Sequence, residues 1–172
     1  MIEKRLKECG LELHPDKTKI VYCKDDRRGG NYPEEKFDFL GYTFRPRLSK
    51  SRDNRYFVGF SPAVSNEAAK SIRGVIRSWR IHRRSDKSIE DLSRLFNPTI
   101  RGWINYYGQY YKSALYPIFN QLNIALIKWA TRKYKRLRKR PRKAYHWLGR
   151  IGCQIPDLFV HWRFGAKPAV GR

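Results

Sequence analysis

The segment Asn97 to Lys112, NPTIRGWINYYGQYYK, restricts what this chain can fold into more than any other stretch. Asn97 is placed to cap a helix whose first residue is Pro98, because proline has no N–H to lose there and its fixed φ suits the first turn. Along that helix Ile100, Trp103, Ile104, Tyr107 and Tyr111 recur at steps of three and four, which gathers them on one face. Arg101, Asn105, Gly108 and Lys112 make a second stripe, rotated by about 100°. The helix is expected to bury aromatics and to carry charge and amide groups along a neighbouring edge, which is either a solvated border or a ligand contact.

The charge balance says what such an edge could meet. Lys and Arg number 38 against 15 Asp and Glu, a formal net charge of +23, and an excess of that size implies a polyanionic partner, nucleic acid first. Residues 1–60 hold 14 basic and 10 acidic side chains, whereas residues 61–172 hold 24 and 5. The binding surface is therefore expected in the second part. An apolar fraction of 41%, with 15% aromatic, is enough to build a folded core rather than a disordered basic tail. Cys9, Cys23 and Cys153 are widely spaced and odd in number, suggesting neither a disulfide framework nor a zinc site. The N-terminus lacks the apolar run of a signal peptide, and no stretch approaches the ~18 apolar residues of a membrane span. A cytoplasmic setting is expected.

Taken in order, Ile2 to Cys9 reads as the last turns of a helix stopped at Gly10. Thr18 to Cys23, Phe37 to Phe44 and Arg55 to Phe60 have the β-branched and aromatic content of three strands, with a loop from Asp25 to Pro33. Three strands and part of a helix make a poor independent fold, so a further N-terminal portion is expected to cover this sheet. Ser61-Pro62 marks the boundary. Ser65 can cap a helix over Asn66 to Arg83 with Ala69, Ile72, Ile76 and Trp79 facing inward. Lys70, Arg73, Arg77, Arg80 and Arg84 follow at steps of three and four, a row of like charges that repel one another and that phosphates would neutralise. Ser88 with Asp91 resembles a capping box opening a short helix through Leu95. Tyr116 to about Lys139 is the longest candidate helix, with Phe119, Leu122, Leu126, Ala130, Tyr134 and Leu137 inward. Nine of the twelve residues from 132 to 143 are Lys or Arg. Pro141 starts a last helix, Pro156 ends it, and Phe159, Trp162 and Phe164 pack the tail. The fold class is α+β.

A search for catalytic groups finds none. Two-metal chemistry needs carboxylates fixed close together on a rigid element. Asp25-Asp26 and Glu34-Glu35 instead sit among Lys and Arg in loops, where salt-bridged turns are expected. His14, His82, His146 and His161 show no metal-ligand spacing. Cys153 is expected to be a buried structural thiol.

Three motifs carry a resemblance. Gly10 to Lys19, GLELHPDKTK, resembles the sixth conserved block of reverse transcriptases, with Lys17 and Thr18 as its Lys-Thr pair; Phe37 to Phe44, FDFLGYTF, looks like the seventh. Asn97 to Gly108 is similar to the maturase-specific domain X, or thumb, of group II intron-encoded proteins, and Pro156 to Trp162 is similar to that domain's end. The resemblance implies the end of a polymerase palm over residues 1–61 and a helical thumb over 62–172. It makes Phe39, Leu40, Gly41 and Tyr42 a primer-grip-like turn. The family's Tyr-x-Asp-Asp block would lie before Met1, so no polymerase activity is expected of this chain alone, and Mg2+ only of an intact relative. The expected partners are structured group II intron RNA and an RNA/DNA duplex. The expected RNA contacts are Lys70, Arg73, Arg77, Arg80, Arg84, Arg101, Asn105, Lys112, Arg132, Lys133, Lys135, Arg136, Arg138 and Lys139. Three readings stand: a maturase module aiding intron folding and splicing, one half of a split reverse transcriptase that joins a separate fingers-palm chain, or a truncated remnant without a role.

Overall fold

The computed structural model describes residues 2–15 and 18–168. It is α+β, with a three-stranded sheet and six α-helices among those residues. The chain divides into two compact units: one runs up to Asp38 and resumes over Phe44–Ser61, the other takes Phe39–Thr43 and the residues from Pro62 on.

Helix α1 spans Ile2–Glu8 and ends where Gly10 takes a φ of +72°. The sheet is β1 (Phe37–Phe39), β2 (Tyr42–Lys50) and β3 (Tyr56–Val64), in that order, joined by short turns that make it antiparallel. The expected strand at Thr18 to Cys23 does not form. Ile20 there is 96% exposed, and Tyr22 N–H reaches the Glu34 carbonyl at 2.8 Å without a ladder forming around it. β-branched content without a neighbouring ladder does not make a strand. The run Phe37 to Phe44 is two strands rather than one, because Leu40 and Gly41 both have positive φ, 49° and 77°. Two successive left-handed residues make the tight turn whose twist suits a hairpin. The third strand also outlasts its expected end at Phe60, running through Pro62 to Val64, which an edge strand allows because an edge N–H has no partner to lose. Pro46 in β2 is tolerated for a related reason: with a two-residue turn, the three residues of β1 face only the start of β2.

In the helical unit, α2 spans Asn66–Ser78, capped by Ser65, whose Oγ accepts from Ala68 N–H at 3.1 Å. It stops five residues before the expected Arg83. Arg80 turns left-handed at φ 46°, and a 3-10 turn, Ile81–Arg83, follows. The reversal buries Ile81 to 1% exposure and lets the Trp79 ring stack on Phe96 and Trp103 at 4.3 and 5.5 Å.

Helix α3 corrects the expected start at Pro98. It runs without a break over Ile89–Tyr107, opened by the Ser88–Asp91 capping box, with Pro98 inside it. An interior proline costs ~3 kcal/mol. Leu92, Phe96 and Ile100 form one buried stripe on both sides of it, each stabilising by about 1.5–3 kcal/mol, so continuity wins. Asn97 is not a cap: its Nδ2 donates to the Leu158 carbonyl at 2.9 Å and its Oδ1 accepts from Val160 N–H at 3.1 Å, tying down the tail. Tyr111 lies beyond the helix end.

Helix α4, Tyr116–Lys133, is the spine of the core, with Ile118, Phe119, Leu122, Leu126, Trp129 and Ala130 fully buried. It ends six residues short of the expected Lys139. Tyr134 is extended, a 3-10 turn takes Lys135–Leu137, and Lys139 has φ 58°. Continuing the helix would stack like charges at i, i+4, whereas the break turns Tyr134 onto Trp147 at 5.2 Å and buries Leu137. Helix α5 spans Pro141–Gln154 and α6 spans Val160–Arg163. Phe159 and Trp162 are fully buried, as the tail reading expects.

A polar node is sealed within this core. Asn123 Oδ1 accepts from Trp162 Nε1–H at 2.9 Å and lies 2.9 Å from His161 Nε2, while Asn123 Nδ2 donates to the Ala166 carbonyl at 3.0 Å. Since Asn123 Oδ1 can only accept, His161 carries its proton on Nε2. Burial holds the imidazole neutral, its pKa lowered to about 3.

Candidate nucleic-acid interface

The row of cations expected along α2 is partly dispersed by the helix end at Ser78. Lys70 and Arg77 are exposed, but Arg73 is half-buried and its Nε is enclosed without a hydrogen-bond partner. Arg84 has left the line altogether. Its Nε donates to the Trp79 carbonyl at 3.1 Å and its guanidinium stands 5.7 Å from the Phe96 ring centre, so it braces the reversal. Lys133 is a second internal brace, donating to the carbonyls of Ser85 and Lys87 at 3.0 and 2.7 Å.

Arg77 and Arg80 instead reach a groove of about 400 Å3 between the end of α2 and the middle of α4. Ile76, Ile81, Ile124 and Ala125 supply its apolar lining; His82, Gln121 and Lys128 join the two arginines as its polar part. Arg132 Nη1 reaches the His82 carbonyl at 3.4 Å, which brings one more cation alongside. Burial, then the charges of Arg132, Arg83, Lys128 and Arg80, hold the His82 imidazole below its ordinary pKa. The local potential is strongly positive, so a phosphate here would meet cations from two helices at once.

Among the described residues, no carboxylate lines the groove. Asp86 pairs with Lys87, Asp91 with Arg94 and Asp157 with Arg163. Asp91 is further committed to the Ser88 cap, whose N–H and hydroxyl hold its carboxyl below the usual range. Lys128 and His82 were not among the expected contacts. Lys128 lies four residues before Arg132 on one face of α4, a signal that the dense run after 132 obscured.

The remaining expected contacts are spread. Arg101 and Asn105 on α3 and Lys112 after it are exposed, with Lys112 Nζ 5.9 Å from the Phe164 ring centre, and none of the three lines this groove. Lys135, Arg138 and Lys139 are exposed around the 3-10 turn after α4. Arg136 lines a second cleft, against α5.

The hairpin tip belongs to this unit. Tyr106 Oη donates to the Leu40 carbonyl at 2.9 Å, Tyr42 Oη donates to the Tyr106 carbonyl, and Ser65 N–H donates to the Gly41 carbonyl at 2.8 Å. Tyr42 is buried against Tyr106, Tyr107 and Tyr110, which raises its pKa through desolvation and its phenolic neighbours. Phe39 and Leu40 remain 60% and 67% exposed, so residues 39–42, expected from the resemblance to form a primer-grip-like turn, make a hairpin tip with an apolar outer edge.

In the other unit, Thr18 is exposed and its N–H donates to the His14 carbonyl at 2.9 Å; Lys17 lies outside the described residues. The paired acids there sit in salt-bridged turns: Lys19 with Glu34 at 2.6 Å, Lys24 with Glu35 at 3.8 Å and Arg28 with Asp25 at 3.6 Å, while Asp26 accepts from Val58 N–H. Cys153 is exposed rather than buried, because it falls on the outer face of α5. Among the described residues no cluster of three or more His, Cys, Asp or Glu could hold a metal, and no helix is long and apolar enough to cross a membrane.

Neither the curated proteins nor the solved structures searched gave a match. Residues 69–147, from α2 into α5, match the family model described as the group II intron, maturase-specific domain, and it is to that domain that the helical unit is similar.

Proposed function

We propose that this chain binds structured RNA through the cationic groove of its helical unit and acts as a maturase, assisting a group II intron to fold and splice. The observation that carries this is a coincidence in sequence: the stretch matching the maturase-specific domain holds Arg77, Arg80, His82, Lys128 and Arg132, the groups gathered at the groove. Within residues 69–147 there are 20 Lys and Arg against three Asp and Glu. A-form RNA hides its base edges in a deep major groove and displays phosphates and 2′-hydroxyls, so recognition rests on charge and shape, which this surface offers. The test is the splicing rate of a group II intron RNA, with and without the protein, under conditions where the RNA alone splices slowly. Acceleration that is lost in an Arg77→Gln, Arg80→Gln, Lys128→Gln variant supports the reading; no acceleration with any group II intron contradicts it.

A second reading is favoured by the first unit and the hairpin. Leu48, Tyr56 and Phe57 on the sheet are exposed by 60%, 67% and 43%, and Ile20, outside it, by 96%, more apolar surface than solvent favours on so small a unit. A fingers-palm portion of a reverse transcriptase would cover it. Co-purification with a polypeptide bearing a Tyr-x-Asp-Asp block supports this, and a monomer that binds no such polypeptide opposes it.

A further inference from the structure

The 3-10 turn Lys135–Leu137 and helix α5 enclose a cleft of about 550 Å3 lined by Arg136, Leu137, Arg140, Lys143, Trp147 and Arg150, with His146 beside them. On α5, Lys143, His146, Trp147 and Arg150 follow at steps of three, one and three, which is one helical face. The four cations are exposed, while Leu137 is buried and Trp147 half-buried. Trp147 is held by Trp129 and Tyr134, with ring centres at 6.3 and 5.2 Å, so the indole is fixed and only part of it is left to form the wall of the cleft. Between Asp91 and Asp157 the sequence has no carboxylate side chain, and Asp157 is paired with Arg163. Four like charges around one apolar-walled hollow repel each other until an anion enters.

We propose that this cleft receives a single unpaired nucleotide of an RNA strand, its base against Trp147 and Leu137 and its phosphates among Arg136, Arg140, Lys143 and Arg150. The proposal rests on the RNA-binding reading above. A duplex presents phosphates on a convex surface and would lie across the rim, leaving the indole wall untouched. An unpaired nucleotide brings both a phosphate and a flat aromatic face, the pair of features the lining complements. The volume falls in the range of sites for one small ligand, roughly 300–1,000 Å3, and is too small for a helix.

Two RNA hairpins that differ only in one bulged 2-aminopurine nucleotide test it with the full chain. The bulged hairpin is expected to bind about tenfold tighter, the gain of one base stacked on an aromatic side chain, with its 2-aminopurine emission quenched on binding. In an Arg140→Ser, Lys143→Ser variant, both positions being exposed, that preference should fall to about onefold while the unbulged hairpin is still bound. Equal affinity of the wild type for the two hairpins, or a preference that survives in the variant, overturns the cleft assignment and leaves the RNA-binding reading intact. Failure of the wild type to bind either hairpin overturns both.

Discussion

The hydroxyl of Tyr107 occupies the space a side chain on Gly41 would need: a Cβ at that glycine would stand 2.8 Å from the phenolic oxygen. The Leu-Gly turn and the aromatic end of α3 are thereby fitted to each other across 66 residues of sequence. Gly41 also has φ +77°, a backbone region that a side chain disfavours. Gly41→Ala is expected to cost about 1–3 kcal/mol in urea unfolding, part of it regained on adding Tyr107→Phe. Strict additivity of the two changes would contradict a direct clash.

Asn97 joins α3 to the tail through two hydrogen bonds, to the Leu158 carbonyl and from Val160 N–H. Replacing it by Ala leaves both backbone groups of a partly buried turn without their partner, which should cost about 1–3 kcal/mol. A helix-capping role would predict an effect on helix content, whereas the tail clamp predicts faster amide exchange at Val160 with α3 intact. Unchanged exchange there would contradict the clamp.

His161 makes stability depend on pH. Its folded-state pKa is lowered to about 3, while the unfolded chain protonates near the ordinary 6.5. Between those values the unfolded state binds more protons, so stability is complete above the upper value and falls as pH drops toward the lower. The loss attributable to this group approaches roughly 1.4 kcal/mol per pH unit well inside that window. Thermal melts of the wild type and His161→Gln should converge as pH falls from about 6.5 to 4. A pH-independent gap between them would count against a buried neutral imidazole.

How far these features could be read from the sequence varies by physical cause. The Ser65 cap, the Ser88–Asp91 box and the buried stripes of α2 and α4 are local: each needs only neighbours three or four residues away. Helix ends were set by tertiary demand instead. Burial of Ile81 and Leu137 stopped α2 and α4 early, and the stripe from Leu92 to Ile100 carried α3 through Pro98. The charged surface was legible as composition but not as geometry. Arg84 keeps the spacing of the α2 row and Lys133 belongs to the basic run after 132, yet both turn inward to backbone carbonyls, while Lys128, Arg140, Lys143 and Arg150 line hollows that form only when separate elements pack together.

The salt dependence of RNA affinity tests the central claim most directly. If about four to six phosphates are neutralised, a log-log plot of binding constant against monovalent salt, from about 50 to 200 mM, should fall with a slope of about −3 to −5. Arg77→Gln, Arg80→Gln and Lys128→Gln together should make that slope shallower by about two. Filter binding that is undetectable or insensitive to salt, or a slope that the three substitutions leave unchanged, would contradict an RNA-binding groove at this site.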